Sequence, residues 1–267
     1  MKSHRTLLPT RFPIQTRINK NPVDLFDLLH GLYDEELKSH PENSYLRQHS
    51  SPGNINNQIY TFAWYLRFLP EHGKILDWGC NHAPDSCMVR AVFGDDLEIH
   101  GCDFREPDTF KEFDKAARLS YQKLSDNVHL PYEDNTFDAV IASGALEHAV
   151  FDYKSLEELY RVMKPECKLI ITYLPNRLSY YEWIKENISK KDFHPRRYGL
   201  KEIKKMLKHN GFLPIEGSAQ IFLWEQKLAA LGFKKNNKFF IKFLCFLFPV
   251  HLISGCFKLV AVKKDSM

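Results

Sequence analysis

The 267-residue chain carries no CxxC pair, no internal repeat and no low-complexity run. Its six cysteines (Cys80, Cys87, Cys102, Cys167, Cys245 and Cys256) show no framework spacing, which excludes a zinc ribbon and a compact disulfide scaffold. Several fall in apolar runs, where a reduced cysteine acts as a small hydrophobe, so the expected compartment is a reducing cytoplasm. An excess of one charge is also missing. With 37 basic and 33 acidic residues the net charge is +4, too mild to imply a nucleic-acid partner. The opening "MKSHRTLLPTRFPIQTR" has no apolar stretch of secretory-leader length. The most apolar segment, 239–249, is interrupted by Lys242 and bounded by Pro249, and falls short of the roughly 20 residues needed to span a bilayer.

What is present is ordinary globular composition, 44% hydrophobic and 26% charged, in a chain long enough for one full core with embellishments. "PVDLFDLLHGLYDEEL" (22–37) and "NQIYTFAWYLRFL" (57–69) read as helices, with "HPENSYLRQHSSPGN" (40–54) as loop between them. From residue 74 the rhythm changes. Short apolar runs at 74–77, 97–103, 137–143 and 168–174 alternate with helical patterns at 84–93, 108–118 and 153–164. Runs apolar on both faces, separated by helices, predict a doubly wound parallel α/β sheet. A further helix is expected at 200–210, stopped by Gly211, and a closing antiparallel pair at 213–224 and 256–263. The expected division is an N-terminal helical extension or lid over 1–70 and an α/β domain over 71–267, with an apolar insertion at about 226–255.

In such sheets ligands bind beyond the carboxyl ends of the strands. Asp77 ends the first strand and Asp103 the second, and both are expected to project into that crevice. A carboxylate there suits a ribose diol, each charge-assisted hydrogen bond being worth roughly 1.5–3 kcal/mol. Gly79 lets backbone pass close to a ligand, and a helix opening at Pro84 would aim its N-terminus there. The loop "DWGCNHAP" is not GxGxxG, which disfavours a nicotinamide or flavin dinucleotide.

The loop resembles instead the first motif of class I S-adenosylmethionine-dependent methyltransferases, an acid followed by x-Gly-x-Gly. "GCDF" (101–104) is similar to their second motif, and "SDNVHLPYEDNTFDAVIASGALEH" (125–148) to the acid–Leu-Pro–Phe-Asp–strand–Leu-Glu-His segment. "RVMKPECKLIIT" (161–172) and "HPRRYGLKEIKKMLKHNGF" (194–212) resemble later segments in the same order, so the resemblance spans about 70–215. It implies a Rossmann-like seven-stranded fold and S-adenosyl-L-methionine as cofactor. It also implies cofactor contacts from Asp77, Gly79, Cys80, Asn81, Asp103, Phe104, Asp126, Asn127 and Ser143. Asn81 and Ala83 stand where the family has glycines. Asparagine tolerates a left-handed backbone best among the other residues, so the loop is expected to keep its shape.

A sulfonium methyl is already activated, so the protein has only to align a nucleophile, take its proton and exclude water; no metal is required. His148 in "ALEH" is placed for proton acceptance, and His194 before "PRRYG" is a second candidate. Either can instead merely shape the wall, and Arg196 and Arg197 can meet an anionic substrate group or form a solvated turn. Cys80-x-His82 lacks a partner pair and reads as structural. The expected activity is methylation of a small molecule, lipid-linked or a sugar, on oxygen. Two alternatives stay open: a noncatalytic scaffold, and a peripheral membrane component docking through the lysine-bordered, phenylalanine-rich segment 233–257.

Overall fold

The computed structural model describes residues 24–179, 183, 186–187, 194, 196–220 and 255–265. The first helix, α1 (Leu25–Ser39), starts because the Asp24 carboxylate accepts hydrogen bonds from the Phe26 and Asp27 backbone N–H groups. The stretch 40–54 departs from its expected loop. It contains α2 (Ser44–His49), capped by Asn43 on the Leu46 N–H at 3.0 Å, and the beginning of α3 (Pro52–Tyr65). Asn43 as a cap and Pro52 in the first helical turn are ordinary start signals that a polar composition obscured.

Beyond Gly73 the chain alternates as expected. The strands are β1 (Gly73–Trp78), β2 (Leu97–Asp103), β3 (Ser120–Lys123), β4 (Phe137–Ser143), β5 (Met163–Pro175), β6 (Phe212–Gln220) and β7 (Cys256–Lys263). Between them lie α4 (Pro84–Phe93), α5 (Lys111–Ala117), α6 (Asp152–Val162) and α7 (Leu200–His209). The seven strands form one sheet in the order β3-β2-β1-β4-β5-β7-β6. Strands β1 to β5 pair in parallel, and β7 runs antiparallel to both β5 and β6.

Alternation along β1 shows how both faces are covered. Leu76 and Trp78 join a core with Leu156 and Leu159 of α6 and Ile203 and Leu207 of α7. Ile75 faces the other way, into a core shared with Leu29 of α1, Phe62 of α3, Met88 of α4 and Phe113 of α5. All of these but Trp78 are fully buried, each large aliphatic or aromatic side chain being worth roughly 1.5–3 kcal/mol. Where described, the N-terminal extension therefore shares a core with the sheet. The expected insertion lies outside the described residues apart from Gly255, and of the 233–257 segment only 255–257 are described, leading into β7. Among the described residues no helix is long and apolar enough to cross a membrane.

Candidate active site

The order change beside β1, where β2 lies on one side and β4 on the other, opens a crevice at the strands' carboxyl ends. The loop leaving β1 is tied to β2: Gly79 and Cys80 donate their N–H groups to the Cys102 carbonyl at 2.9 and 3.2 Å. Gly79 is required twice over. Its φ is +69°, and a Cβ there would sit 2.6 Å from the Ala145 Cβ on the loop leaving β4. Asn81 and Ala83, in place of further glycines, also adopt left-handed backbone, with φ of 45° and 56°. The turn is held by local bonds: Ala83 N–H to the Cys80 carbonyl at 2.6 Å and Asn81 N–H to Asp103 Oδ2 at 2.8 Å. Arg105, which sequence reasoning missed, donates its Nε–H to the Asn81 carbonyl, pairs with Asp114 and lies 4.0 Å from the Tyr121 ring centroid.

Under this loop the structure differs from expectation. Asp77 is 2% exposed and accepts a hydrogen bond from Ser86 Oγ at 2.6 Å. It shares the Ile75 face of β1, so its carboxylate turns beneath the loop toward α4 instead of projecting into the crevice. A second acid, Asp85 in the first turn of α4, accepts from the Tyr65 hydroxyl and is also buried. Burial, reinforced by the neighbouring Asp85 and Asp103 charges, pushes the Asp77 carboxyl up to about 8; burial also raises Asp85.

His82 bridges the loop to the N-terminal helices. Its Nε2 lies 2.7 Å from the Tyr33 hydroxyl, and its ring stands among those of Tyr45, His49, Phe110 and Phe113. Burial holds it far below the ordinary histidine range, so it is neutral. Cys80, whose thiol is pushed up by burial, packs on Gly101. Both side chains are buried inside the fold.

Asp103 remains at the crevice edge. Each carboxylate oxygen accepts one backbone N–H, from Asn81 and from Phe104 at 2.6 Å. A carboxylate has about four acceptor sites, so two bonds leave capacity for a diol. The Phe104 ring is 51% exposed. Asp126 and Asn127 follow β3 on the surface. Asp126 accepts from the Val128 and His129 N–H groups, which holds its carboxyl below the usual range. Ser143, at the end of β4, shares a hydrogen bond of 2.8 Å with Thr172 of β5.

The structure brings both histidine candidates together. His148 ends a short 3-10 turn (Leu146–His148), and its ring centroid lies 6.0 Å from that of His194. Partial burial and the neighbouring His194 lower His148 from its ordinary value, with Asp103 opposing, which favours the neutral imidazole. Arg196 donates to the Ala149 and Val150 carbonyls and fixes the His194 segment against this turn. Arg197 pairs with Glu186. Glu147, missed as a site residue although it stands inside "LEH", is buried beside them, and burial pushes its carboxyl up to about 7. Tyr173 closes the wall. It takes a φ of +57° at the irregularity in β5, and its hydroxyl donates to the Asn57 carbonyl of α3 at 3.2 Å. Such a backbone is a genuine outlier for a bulky residue.

Residues 76–171 match the family model described as a methyltransferase domain. The chain is 32% identical over 101 residues to demethylmenaquinone methyltransferase of Bacillus mycoides strain KBAB4, covering 36% of this chain and 43% of that protein. It spans half or less of the length of the curated relatives it matches. Among solved structures it resembles Haemonchus contortus phosphoethanolamine N-methyltransferase 2 in complex with S-adenosyl-L-methionine, with TM-score 0.57, 21% identity and coverage of 93% of this chain and 62% of that one. A SAM-dependent methyltransferase from Aquifex aeolicus gives TM-score 0.55 at 17% identity, covering 82% and 97% of the two chains; at these identities the likeness concerns the fold. Residues 76–171 thus carry the methyltransferase domain that the family model describes, within a fold that resembles those of solved S-adenosylmethionine-dependent methyltransferases.

Proposed function

We propose that this chain transfers a methyl group from S-adenosyl-L-methionine to an oxygen atom of a small-molecule acceptor. The observation that carries the reading is the Asp103 carboxylate, held at the crevice edge by the loop that Gly79 and Asn81 shape, with His148 within reach of its charge.

The residues fit the cofactor. Asp103 has acceptor capacity left for the ribose hydroxyls, the exposed Phe104 ring offers a face to the adenine, and Asp126 and Asn127 flank that end. The Gly79–Asn81 backbone lies alongside, Cys80 contributing through its main chain, and Ser143 closes the β4 side. The cofactor supplies a methyl carbon on sulfur, which departs as a thioether when the carbon is taken. What the protein adds is alignment of the acceptor oxygen, exclusion of water and acceptance of the oxygen's proton at the rim, where His148 and His194 meet. The helices of residues 24–69, through Tyr33 and Tyr45 around the loop and the Asn57–Tyr173 bond, form the acceptor side.

Calorimetric titration with S-adenosylhomocysteine tests the cofactor half. Binding is expected, with Asp103→Ala weakening it at least tenfold, the equivalent of about 1.4 kcal/mol, while far-UV circular dichroism stays unchanged. No binding by the wild-type chain would favour a noncatalytic scaffold, and unchanged affinity in the variant would remove Asp103 from the site.

A further inference from the structure

Glu147, His148 and His194 each place one ligating atom within 4.8 Å of the other two, at the crevice rim beyond β4. Glu147 and His148 are adjacent on a rigid turn, while His194 comes from a segment 46 residues later. A second observation is independent of that proximity: Glu147 Oε2 is buried and has no hydrogen-bond partner among the described residues. A buried acceptor left unmade costs about 1–3 kcal/mol, so native structures rarely keep one without a use for it.

We propose that these three side chains hold a divalent cation of the zinc class, and that the ion's remaining coordination position takes the acceptor oxygen of the substrate. Two imidazoles and one glutamate with an open position make up a catalytic, not a structural, zinc set. Metal–ligand bonds of about 2.0–2.2 Å put tetrahedral ligand atoms about 3.3–3.5 Å apart. The present separations, all within 4.8 Å, close to that range by side-chain movements of at most about 1.5 Å. The proposal rests on the methyl-transfer reading of the crevice and deepens it. A hydroxyl bound to the ion gives up its proton to solvent water, and the resulting oxygen lone pair faces the crevice. The histidines then act as ligands, and the ion replaces them as the device that makes the oxygen nucleophilic. The acceptor class that follows is an alcohol, phenol or enol, with oxygen at the methylated position.

The test is titration of the full-length chain with Co²⁺, followed by visible absorption, and then displacement by Zn²⁺. One equivalent is expected, with His194→Ala and the isosteric Glu147→Gln each weakening binding by at least about a hundredfold, and with the exposed His30→Ala unaltered. Absence of a stoichiometric site in the wild type, or unchanged binding in both site variants, would overturn the proposal. Calorimetric titration of the same samples with S-adenosylhomocysteine separates the two readings. Homocysteine-nucleoside binding without metal binding refutes the ion alone; metal binding without it refutes the methyl-transfer reading.

Discussion

Replacing Gly79 by alanine probes the turn on which the loop leaving β1 is built. Two costs are expected, and they can be separated. At φ of +69° the new side chain meets the penalty of a left-handed backbone, about 1–2 kcal/mol for an L-residue. Its Cβ would also stand 2.6 Å from the Ala145 Cβ, where ordinary van der Waals contact begins near 3.4 Å. Relieving that overlap requires the β1 and β4 loops to part, at about 1–3 kcal/mol. The total loss is thus about 2–5 kcal/mol by urea denaturation at constant m value. Ala145→Gly removes the second collision partner. In the double variant the collision share should return, giving a favourable coupling of about 1–3 kcal/mol, while the backbone share persists. A coupling below about 0.5 kcal/mol, the ordinary limit of additivity, would show that the loops do not press on each other. A loss below about 1 kcal/mol in Gly79→Ala would show that the left-handed turn is not fixed.

Two further outcomes concern the groups around that loop. Burial raises the Asp77 carboxyl to about 8, so the folded chain keeps a proton that the unfolded chain loses above about pH 4. Stability should therefore fall as pH rises from about 4 to 8, and Asp77→Asn, which can still accept from Ser86, should flatten that slope; identical urea midpoints at pH 5 and 8 in the wild type would contradict it. Arg105→Ala leaves Asp114 unpaired and frees the Asn81 carbonyl. The expected cost is about 3 kcal/mol, the low end for a broken buried pair because Asp114 keeps some exposure. S-adenosylhomocysteine affinity should fall with it, and Arg105→Lys should restore little, since an ammonium lacks the fork that reaches both partners.

The sheet was largely legible because its strands are apolar on both faces: 97–103 and 137–143 are strands with the expected bounds. Strand β3 was not, because "SYQK" is polar and mostly exposed, and becomes a strand only through pairing with β2. For Asp77 the sequence showed a strand end but not the pleat. Sharing a face with Ile75 sends the carboxylate under the loop, while Asp103 on the next strand stays at the edge. The rim cluster had no spacing to betray it, since tertiary folding alone brings His194 to His148. Arg105 carried no motif; its role appears only once the Asn81 carbonyl, Asp114 and the Tyr121 ring surround it.

The phenolic bond from Tyr173 to α3 divides labour along the chain. The partner helix lies upstream of the segment that the methyltransferase-domain model matches, yet it is bonded to the strand that ends that segment. On the proposed function, acceptor preference can therefore drift through substitutions in those early helices, leaving the loops beyond β1 and β2 untouched.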